Sequence, residues 1–310
     1  MVKFNSFFIA VICACSTWYS AHGILVEGSR WTLGNKEILF LFDIHNEPGF
    51  EEFEREELET FIGILKMYSQ TDNRPLYILV EESANVDSVI GPLRKRLAQE
   101  EITNIIVENI EQRAASASAS DLLSAFPDHR YITPRTSATQ TCYAQKVTME
   151  EVLQEYALIK TSVEESYKGS SDTVKGIHDE RVCDITCLTT RIMEKIKNMS
   201  IALDQPLASL LETCSSEELV EYRTLGRLIF SAASAYIDLY AFHRVLLLPD
   251  DYRVVLLAGG RHCAWVKSRM MGRLDATKNF GYGKDGDGLV IKGDILQPIQ
   301  AEQLKSLICT

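Results

Sequence analysis

The sequence predicts an α/β fold in which helices flank a mainly parallel central sheet, with a long helical insertion before the last core strand. Over roughly the first third of the chain, short apolar runs suited to buried strands alternate with stretches of helical periodicity. Such alternation is typical of parallel strands joined by right-handed crossovers. One further buried run comes only after about a hundred residues of helical pattern, which indicates the insertion.

Residues 1–23 have the pattern of a secretory signal peptide. Lys3 gives a positive start, an apolar stretch runs from residue 7 to residue 15, and Ala21-His22-Gly23 is a small-x-small cleavage site. We therefore expect residues 24–310 to form a single secreted or periplasmic domain. Cys15 ends a partial lipobox, so a lipid or membrane anchor is the lesser alternative. No later segment has the roughly 18 apolar residues of a spanning helix, which predicts no transmembrane segment in the mature chain.

Composition narrows the class of protein. A formal net charge of -11 argues against a nucleic-acid-binding surface, which needs a basic face, and 46% hydrophobic residues are ample for a core. Six cysteines follow the signal peptide, and the sequence leaves their pairing open. Cys183 and Cys187 lie four apart near His178, but the spacing matches no standard zinc module, so we expect structural bridges or buried thiols.

The elements before the insertion follow in order. Four core strands are expected in all, at residues 38–42, 76–80, 105–107 and 253–258. One helix begins near Asn46-Glu47-Pro48, which suits a first helical turn, and reaches residue 68, while a second covers 86–100. The alternating alanine and serine residues of 114–120 predict a flexible lead into a short helix. Residues 127–141 are rich in turn formers, with a brief strand at 131–132.

The predicted insertion covers residues 148–248 and could form a cap or lid. Ser215 and Glu218 have the spacing of a capping box, which predicts the start of its last helix. A helix carrying Trp265 follows the final strand. Residues 283–288 predict a hairpin turn rather than a calcium loop, because the ligand spacing is wrong and the terminal glutamate is absent.

Polar residues follow three of the predicted strands at the point where each run ends. His45 closes the first, Glu81 follows the second, and Gly259-Gly260-Arg261-His262 follows the last. Carboxyl ends of parallel strands share one edge of the sheet, where ligands bind in open α/β folds. We therefore expect His45, Glu81 and His262 to converge as catalytic residues or as ligands of a divalent metal.

Neighbouring residues are expected to support this site. Asp43 is a candidate fourth metal ligand, a partner that orients His45, or a helix N-cap or turn acceptor. Gly259 and Gly260 permit a tight turn and leave amides free for an anionic group or a cofactor.

Three further residues each have two possible roles. Glu82 is the alternative to Glu81, which we favour because it directly follows the apolar run; Glu82 would then be solvated. Arg113 could clamp an anion at the same edge, but an exposed position is expected. Asp238 lies on an apolar helix and should have a partner such as Arg244, or the metal itself. The chain has no Gly-x-Ser-x-Gly elbow and no phosphate-binding loop.

Taken together, these motifs resemble those of the erythromycin-esterase, TraB and Tiki (ChaN-like) superfamily. The resemblance rests on Phe42-Asp43-Ile44-His45, on Glu81 and on Gly259-Gly260-Arg261-His262, in this order between about residues 38 and 267. The early motif lacks the usual glycine and has aspartate where glutamate often stands. The resemblance implies a site at the carboxyl ends of the strands, and members include metal-dependent peptidases, esterases and a haem-binding lipoprotein branch.

Two classes of function are therefore expected. The first is an exported peptidase-like or esterase-like hydrolase, in which the histidines and the glutamate bind a divalent metal or activate water directly. The alternative is a non-catalytic protein that binds a ligand or haem on the same scaffold.

Overall fold

The computed structural model describes residues 23–45, 51–82, 89–125, 145–168, 170–212, 214–282 and 300–309. Within them the chain has the predicted α/β fold, with helices on both faces of a mixed, mostly parallel sheet. The helix start expected at residues 46–48, the strand at 131–132 and the hairpin turn at 283–288 lie outside the described residues.

Six strands form one sheet in the order β4-β3-β5-β2-β1-β6. The four strands from β4 to β2 are parallel, and β1 and β6 add antiparallel pairs beyond β2. The strand bounds are β1 Gly23–Leu33, β2 Lys36–His45, β3 Leu76–Val80, β4 Ile105–Asn109, β5 Arg253–Gly259 and β6 Thr277–Tyr282. All four predicted strands are confirmed as β2, β3, β4 and β5.

Strand β1 is not predicted from the sequence, and the reason lies in its side chains. Strand β1 carries Glu27, Ser29 and Arg30, which are all buried, so it has no apolar run of the kind that marks the parallel strands. Arg30 is neutralised by Glu37 of β2, with 2.7 Å between guanidinium and carboxylate. A strand is predicted from an apolar run or from alternation of apolar and polar residues. The buried polar residues of β1 interrupt both patterns.

Helices fill the connections between the strands. Their bounds are α1 Glu51–Thr71, α2 Ile90–Gln99, α3 Ala114–Ala125, α4 Met149–Ser166, α5 Asp172–Asn198, α6 Leu207–Leu211, α7 Ser216–Leu247, α8 Gly260–Leu274 and α9 Ala301–Cys309. The flexible lead expected at 114–120 is wrong, because α3 begins at Ala114 itself. Glu155 stabilises that start by accepting backbone hydrogen bonds from Ala115 at 2.6 Å and Ser116 at 3.0 Å.

Buried apolar residues form three clusters. One lies between the sheet and α1, α2 and α9, and a second between the opposite face and α8 with the carboxyl half of α7. The third joins α3 to α4, α5, α6 and the amino half of α7, so α3 belongs to the same core as the insertion. At 32 residues, α7 is roughly 48 Å long and links the two cores. The predicted capping box of Ser215 and Glu218 is present at its start.

A buried arginine, Arg253, lies at the amino end of β5. Arg253 is 1% exposed, pairs with Glu37 at 2.5 Å and donates to the carbonyl of Ile308. Its guanidinium also lies 5.3 Å from the centre of the Tyr68 ring. These contacts hold α9 against the sheet, because a buried guanidinium that loses its acceptors destabilises the fold.

Two further expectations concern the described residues. No helix among them is long and apolar enough to cross a membrane. The cysteines at 183, 187, 214, 263 and 309 are free thiols, and Cys142 lies outside the described residues. The expectation of structural bridges or buried thiols is wrong for Cys183 and Cys187, because both thiols are free and exposed.

Candidate functional site

The candidate site lies at the carboxyl edge of the sheet, around the end of β5. Strand β5 runs between β3 and β2, so residues that follow or close these three strands are neighbours. Glu81 directly follows β3, and its amide donates to the carbonyl of Leu257 on β5 at 2.9 Å. Asp43 on β2 is the register partner of Gly259 on β5. The edge predicted from the sequence is therefore the edge at which these residues meet.

Glu81 and Glu82 have different roles in the structure. One carboxylate oxygen of Glu81 accepts a hydrogen bond from the amide of Gly259 at 2.9 Å, which turns the side chain towards β5. Glu82 accepts from the amides of Val89 at 2.6 Å and Ile90 at 2.9 Å, and so caps the start of α2. The prediction that Glu82 is solvated is wrong, because its residue exposure is 6%.

His262 lies in the first turn of α8 with a carboxylate near each ring nitrogen. Its Nδ1 is 2.6 Å from Oδ1 of Asp238, and its Nε2 is 3.4 Å from Oε1 of Glu81. Burial by itself lowers the pKa of His262, but the charges of Glu81 and Asp238 outweigh burial and hold that pKa above its ordinary value. The ring is therefore held in a fixed orientation and favours the protonated state.

Arg113 was expected at the surface, and this prediction is wrong. The residue is 7% exposed and donates to Oε1 of Glu81 at 2.7 Å. Its Nε donates to Oε1 of Glu111 at 2.7 Å. Although burial opposes the charge, the carboxylates of Glu111 and Glu81 raise the pKa of Arg113 above its usual value. Arg113 thus fixes the position of Glu81 and keeps a positive charge beside it.

Asp238 has a partner, but not the one that the sequence suggested. Arg244 pairs instead with Glu108 of β4, with 2.8 Å between the Arg244 Nε and the carboxylate. Asp238 is 1% exposed and contacts His262 on α8 and Arg181 on α5. The Arg181 guanidinium packs over the ring of Trp265, with 4.9 Å between the guanidinium carbon and the ring centre. A carboxylate on an apolar helix is thereby neutralised from two sides.

These residues form one chain of alternating charge across the site. In spatial order its members are Glu111, Arg113, Glu81, His262, Asp238 and Arg181. The chain runs from the start of α3 to the insertion helix α5 and passes the ends of β3 and β5. With His262 protonated, three positive and three negative groups balance, so their buried charges compensate one another.

His45 and Asp43 close β2 at the same edge, and only their backbone positions are described. The side chains of residues 43–45 lie outside the described part of the structure. His45 is the register partner of Gly23 in β1, and β2 itself runs beside β5. His45 and His262 therefore belong to one end of the sheet, while the convergence of their side chains stays a prediction.

A Cβ at either glycine of the late motif would fit beside the charged pair. A Cβ on Gly259 would lie 3.4 Å from Oε2 of Glu81 and 3.8 Å from Cδ2 of His262, which is ordinary contact. At Gly260 it would meet Phe42 at 3.7 Å. The amide of Gly259 is engaged by Glu81, so this amide is not the free anion donor that the sequence suggested.

The described donors at the site meet part of what a divalent metal requires. In the described part of the chain, no group of three or more His, Cys, Asp or Glu side chains has metal-binding spacing. Nε2 of His262 and Oε1 of Glu81 are nonetheless 3.4 Å apart. Two ligands that each lie about 2.1 Å from one tetrahedral ion have roughly this separation. The pair therefore fits as two ligands, and the predicted third ligand, His45 or Asp43, has a side chain outside the described part of the structure.

Sequence reasoning missed Arg181 and Glu111. Arg181 lies on an amphipathic helix with other basic residues, so no sequence signal separates it from a solvated side chain. Glu111 had a weak signal, because it stands two residues before Arg113 just beyond a strand, a spacing that permits a local ion pair.

Comparison with known proteins adds no relative: no family model, no curated protein sequence and no solved structure matches this chain.

Proposed function

We propose that this protein is a hydrolase of ester or peptide bonds, and that Glu81 and His262 act on the hydrolytic water. The observation that carries the proposal is the line of Asp238, His262 and Glu81, in which one carboxylate orients the imidazole and a second faces its other nitrogen. An acid or base that a further group holds in place is the arrangement expected where proton transfers are catalysed. The resemblance to the erythromycin-esterase, TraB and Tiki superfamily points to the same residues.

The two groups would divide the proton transfers between them. Glu81 takes a proton from water as the water oxygen attacks the carbonyl carbon, and protonated His262 gives its Nε2 proton to the leaving oxygen or nitrogen as that bond breaks. Transfer of the proton from Glu81 to His262 then restores the starting state, over the 3.4 Å between Oε1 and Nε2. Arg113 keeps Glu81 in place, and Asp238 keeps the His262 ring in place.

A metal-dependent form of this hydrolase is the second possibility within the proposal. His262 and Glu81 would supply two ligands, Asp238 would hold the metal-bound imidazole from behind, and His45 or Asp43 would supply the third. A divalent ion would lower the pKa of a bound water and polarise the substrate carbonyl. The Arg113 guanidinium, 2.7 Å from the same Glu81 oxygen, opposes a cation there, so we favour the metal-free form.

The second candidate function is a non-catalytic binding protein, for which the resemblance implies haem as one ligand. The observation that favours it is that the buried charges at the site pair with one another. Such pairing is also expected where buried ions serve stability and not catalysis. Titration of the purified chain with haem, followed by its visible absorption, tests this candidate directly.

The experiment that tests the hydrolase is a comparison of Glu81→Gln with Glu82→Gln. The substitutions are chemically identical and one residue apart, but only Glu81 faces His262. Hydrolysis of nitrophenyl esters and of a fluorogenic peptide library should fall by about 100-fold or more in Glu81→Gln and in His262→Ala. Activity should persist in Glu82→Gln.

The controls separate the possible causes of a loss. Circular dichroism verifies that each variant is folded, and elemental analysis measures bound metal with and without chelator treatment. One equivalent of metal that disappears in His262→Ala and His45→Ala would establish the metal-dependent form. Equal activity of Glu81→Gln and the parent chain, or equal loss in both glutamate variants, would refute the hydrolase.

We further propose that the protein is exported and cleaved near Gly23. The support is the sequence pattern of residues 1–23. Mass spectrometry of the protein from the exported fraction should find a chain that begins close to Gly23. Intact Met1 in that fraction would refute cleavage, and a lipid on Cys15 would establish the anchored form.

A further inference from the structure

A partly open cavity of about 160 Å³ lies in the helical insertion. It is bounded by α4, α5 and α7. Apolar side chains that line it are Val163, Val182, Ile185 and Leu239, and polar ones are Lys160, His178, Thr186, Thr189 and Tyr236. The volume is close to the roughly 150 Å³ of an engineered apolar cavity that admits benzene. The cavity therefore has room for a ring or a short branched chain.

Two buried polar groups on its wall have unused hydrogen-bonding capacity. Tyr236 is 4% exposed, and its hydroxyl makes no hydrogen bond to any residue that the structure describes. His178 is also 4% exposed, and only its Nδ1 has a partner in the described residues, Nε2 of His243 at 3.1 Å. Neither atom is fully shut off from solvent, so a molecule that enters the cavity can hydrogen-bond to it. Both groups line the one cavity, so a single occupant could satisfy them.

The rings that carry these groups are held in place by stacking. Tyr236 stacks on Tyr156 with 4.9 Å between ring centres, and Tyr167 stacks on His178 at 3.8 Å. Tyr167 is itself fixed through its hydroxyl, which donates to Asp179 at 3.1 Å. Preorganised rings lose little freedom when a ligand binds. The wall thus has the features of a built binding site: an apolar lining with a few fixed polar groups.

The other polar groups of the lining are already engaged. The hydroxyls of Thr186 and Thr189 donate to backbone carbonyls of the preceding helical turn at 2.7 and 2.9 Å. Lys160 pairs with Glu164 at 3.6 Å and is half exposed. The recognition chemistry inside the cavity therefore comes from one phenol and one imidazole nitrogen.

These groups favour an uncharged ligand. Burial lowers the pKa of His178, so its ring is neutral near pH 7. Burial raises the pKa of Tyr236 to about 12, so its hydroxyl stays protonated. Either tautomer of the histidine pair leaves Nε2 of His178 able to make one hydrogen bond, as donor or as acceptor. A hydroxyl group can both donate and accept, so it suits either case.

We propose that this cavity binds a small neutral molecule of about the size of phenol, with an aromatic or branched aliphatic body and one hydroxyl group. The hydroxyl hydrogen-bonds to Tyr236, and the body packs against Val163, Val182 and Leu239. The proposal is independent of the hydrolase, because it uses none of the residues at the sheet edge.

Titration calorimetry and ligand-detected NMR on the full chain, with phenol as the probe, test the proposal. Saturable binding of one equivalent with Kd about 1 mM or tighter is expected. Benzene should bind more weakly than phenol, since it satisfies neither polar group. Tyr236→Phe should weaken phenol binding by about fivefold and leave benzene unchanged. Val182→Phe should abolish binding of both probes by filling the cavity.

Tyr222→Phe is the matched control, because it removes the same hydroxyl from a buried position on the same helix that does not line the cavity. This variant should bind phenol as the parent chain does. Equal affinity for phenol and benzene, unchanged binding in Val182→Phe, or the absence of saturable binding to either probe would overturn the proposal. In the last case the cavity holds water only. Tyr236→Phe keeps the test decisive if Val182→Phe fails to fold, since it removes a single oxygen.

Discussion

Replacing Asp238 with asparagine should change the pH dependence of stability, because Asp238 holds the charge of His262. The side chain is 1% exposed, and Asn keeps its shape while removing the charge that faces Nδ1 of His262 at 2.6 Å. The substitution also leaves Arg181 with one fewer buried partner. Removing one member of a buried ion pair costs about 3 kcal/mol or more. We expect a loss of this size in the free energy of unfolding near pH 6.

The sign of the pH effect follows from the direction of the pKa shift. In the folded protein the pKa of His262 lies above its ordinary value of 6.5, so folding favours the protonated ring. The resulting stability is fully present below pH 6.5 and is lost as the pH rises through the folded-state pKa. One such group changes stability by at most about 1.4 kcal/mol per pH unit. Asp238→Asn should lower the folded-state pKa and flatten this slope.

Urea unfolding between about pH 6 and pH 9, for the parent chain and Asp238→Asn, measures both quantities. The difference between the two curves removes the contribution of groups that titrate equally in both proteins. Proton NMR of the His262 ring gives its pKa independently. A penalty that stays constant across this range, together with an unchanged ring titration, would refute the inferred coupling between Asp238 and His262.

Three further outcomes are expected. Arg253→Met should lower the free energy of unfolding by about 3 kcal/mol and loosen α9, because it removes the bonds to Glu37 and Ile308; urea titration and hydrogen exchange at α9 would measure this, and full protection of α9 would contradict it. Burial lowers the pKa of His243 to about 4, so the parent chain should lose roughly 3 kcal/mol between pH 6.5 and 4. His243→Phe should lose less over that range, and an unchanged acid limb would be evidence against the assignment. Glu82→Gln should cost about 1 kcal/mol in thermal unfolding through the weakened cap of α2, whereas no change in stability would rule out the cap.

The sequence determined the parallel part of the sheet and the edge at which polar residues gather. Strands covered on both faces must be apolar along their length, so β2, β3 and β5 stand out as short apolar runs. A polar residue directly after such a run lies at the carboxyl edge because the strands are parallel. The sequence therefore predicts Glu81 and His262 at one edge, and in the structure Oε1 of Glu81 lies 3.4 Å from Nε2 of His262.

Only the tertiary structure decided which charges meet. Asp238 and Arg181 are 57 residues apart, and Arg113 and Glu81 are 32 apart, so their pairing depends on how helices and strands pack. A buried ion needs a partner, but the pattern of one helix cannot say which helix supplies it. For the same reason the sequence predicts neither β1 nor the cavity that Tyr236 lines. In the sequence their polar residues resemble surface residues, and only the packing pairs Arg30 with Glu37 and places Tyr236 at the cavity.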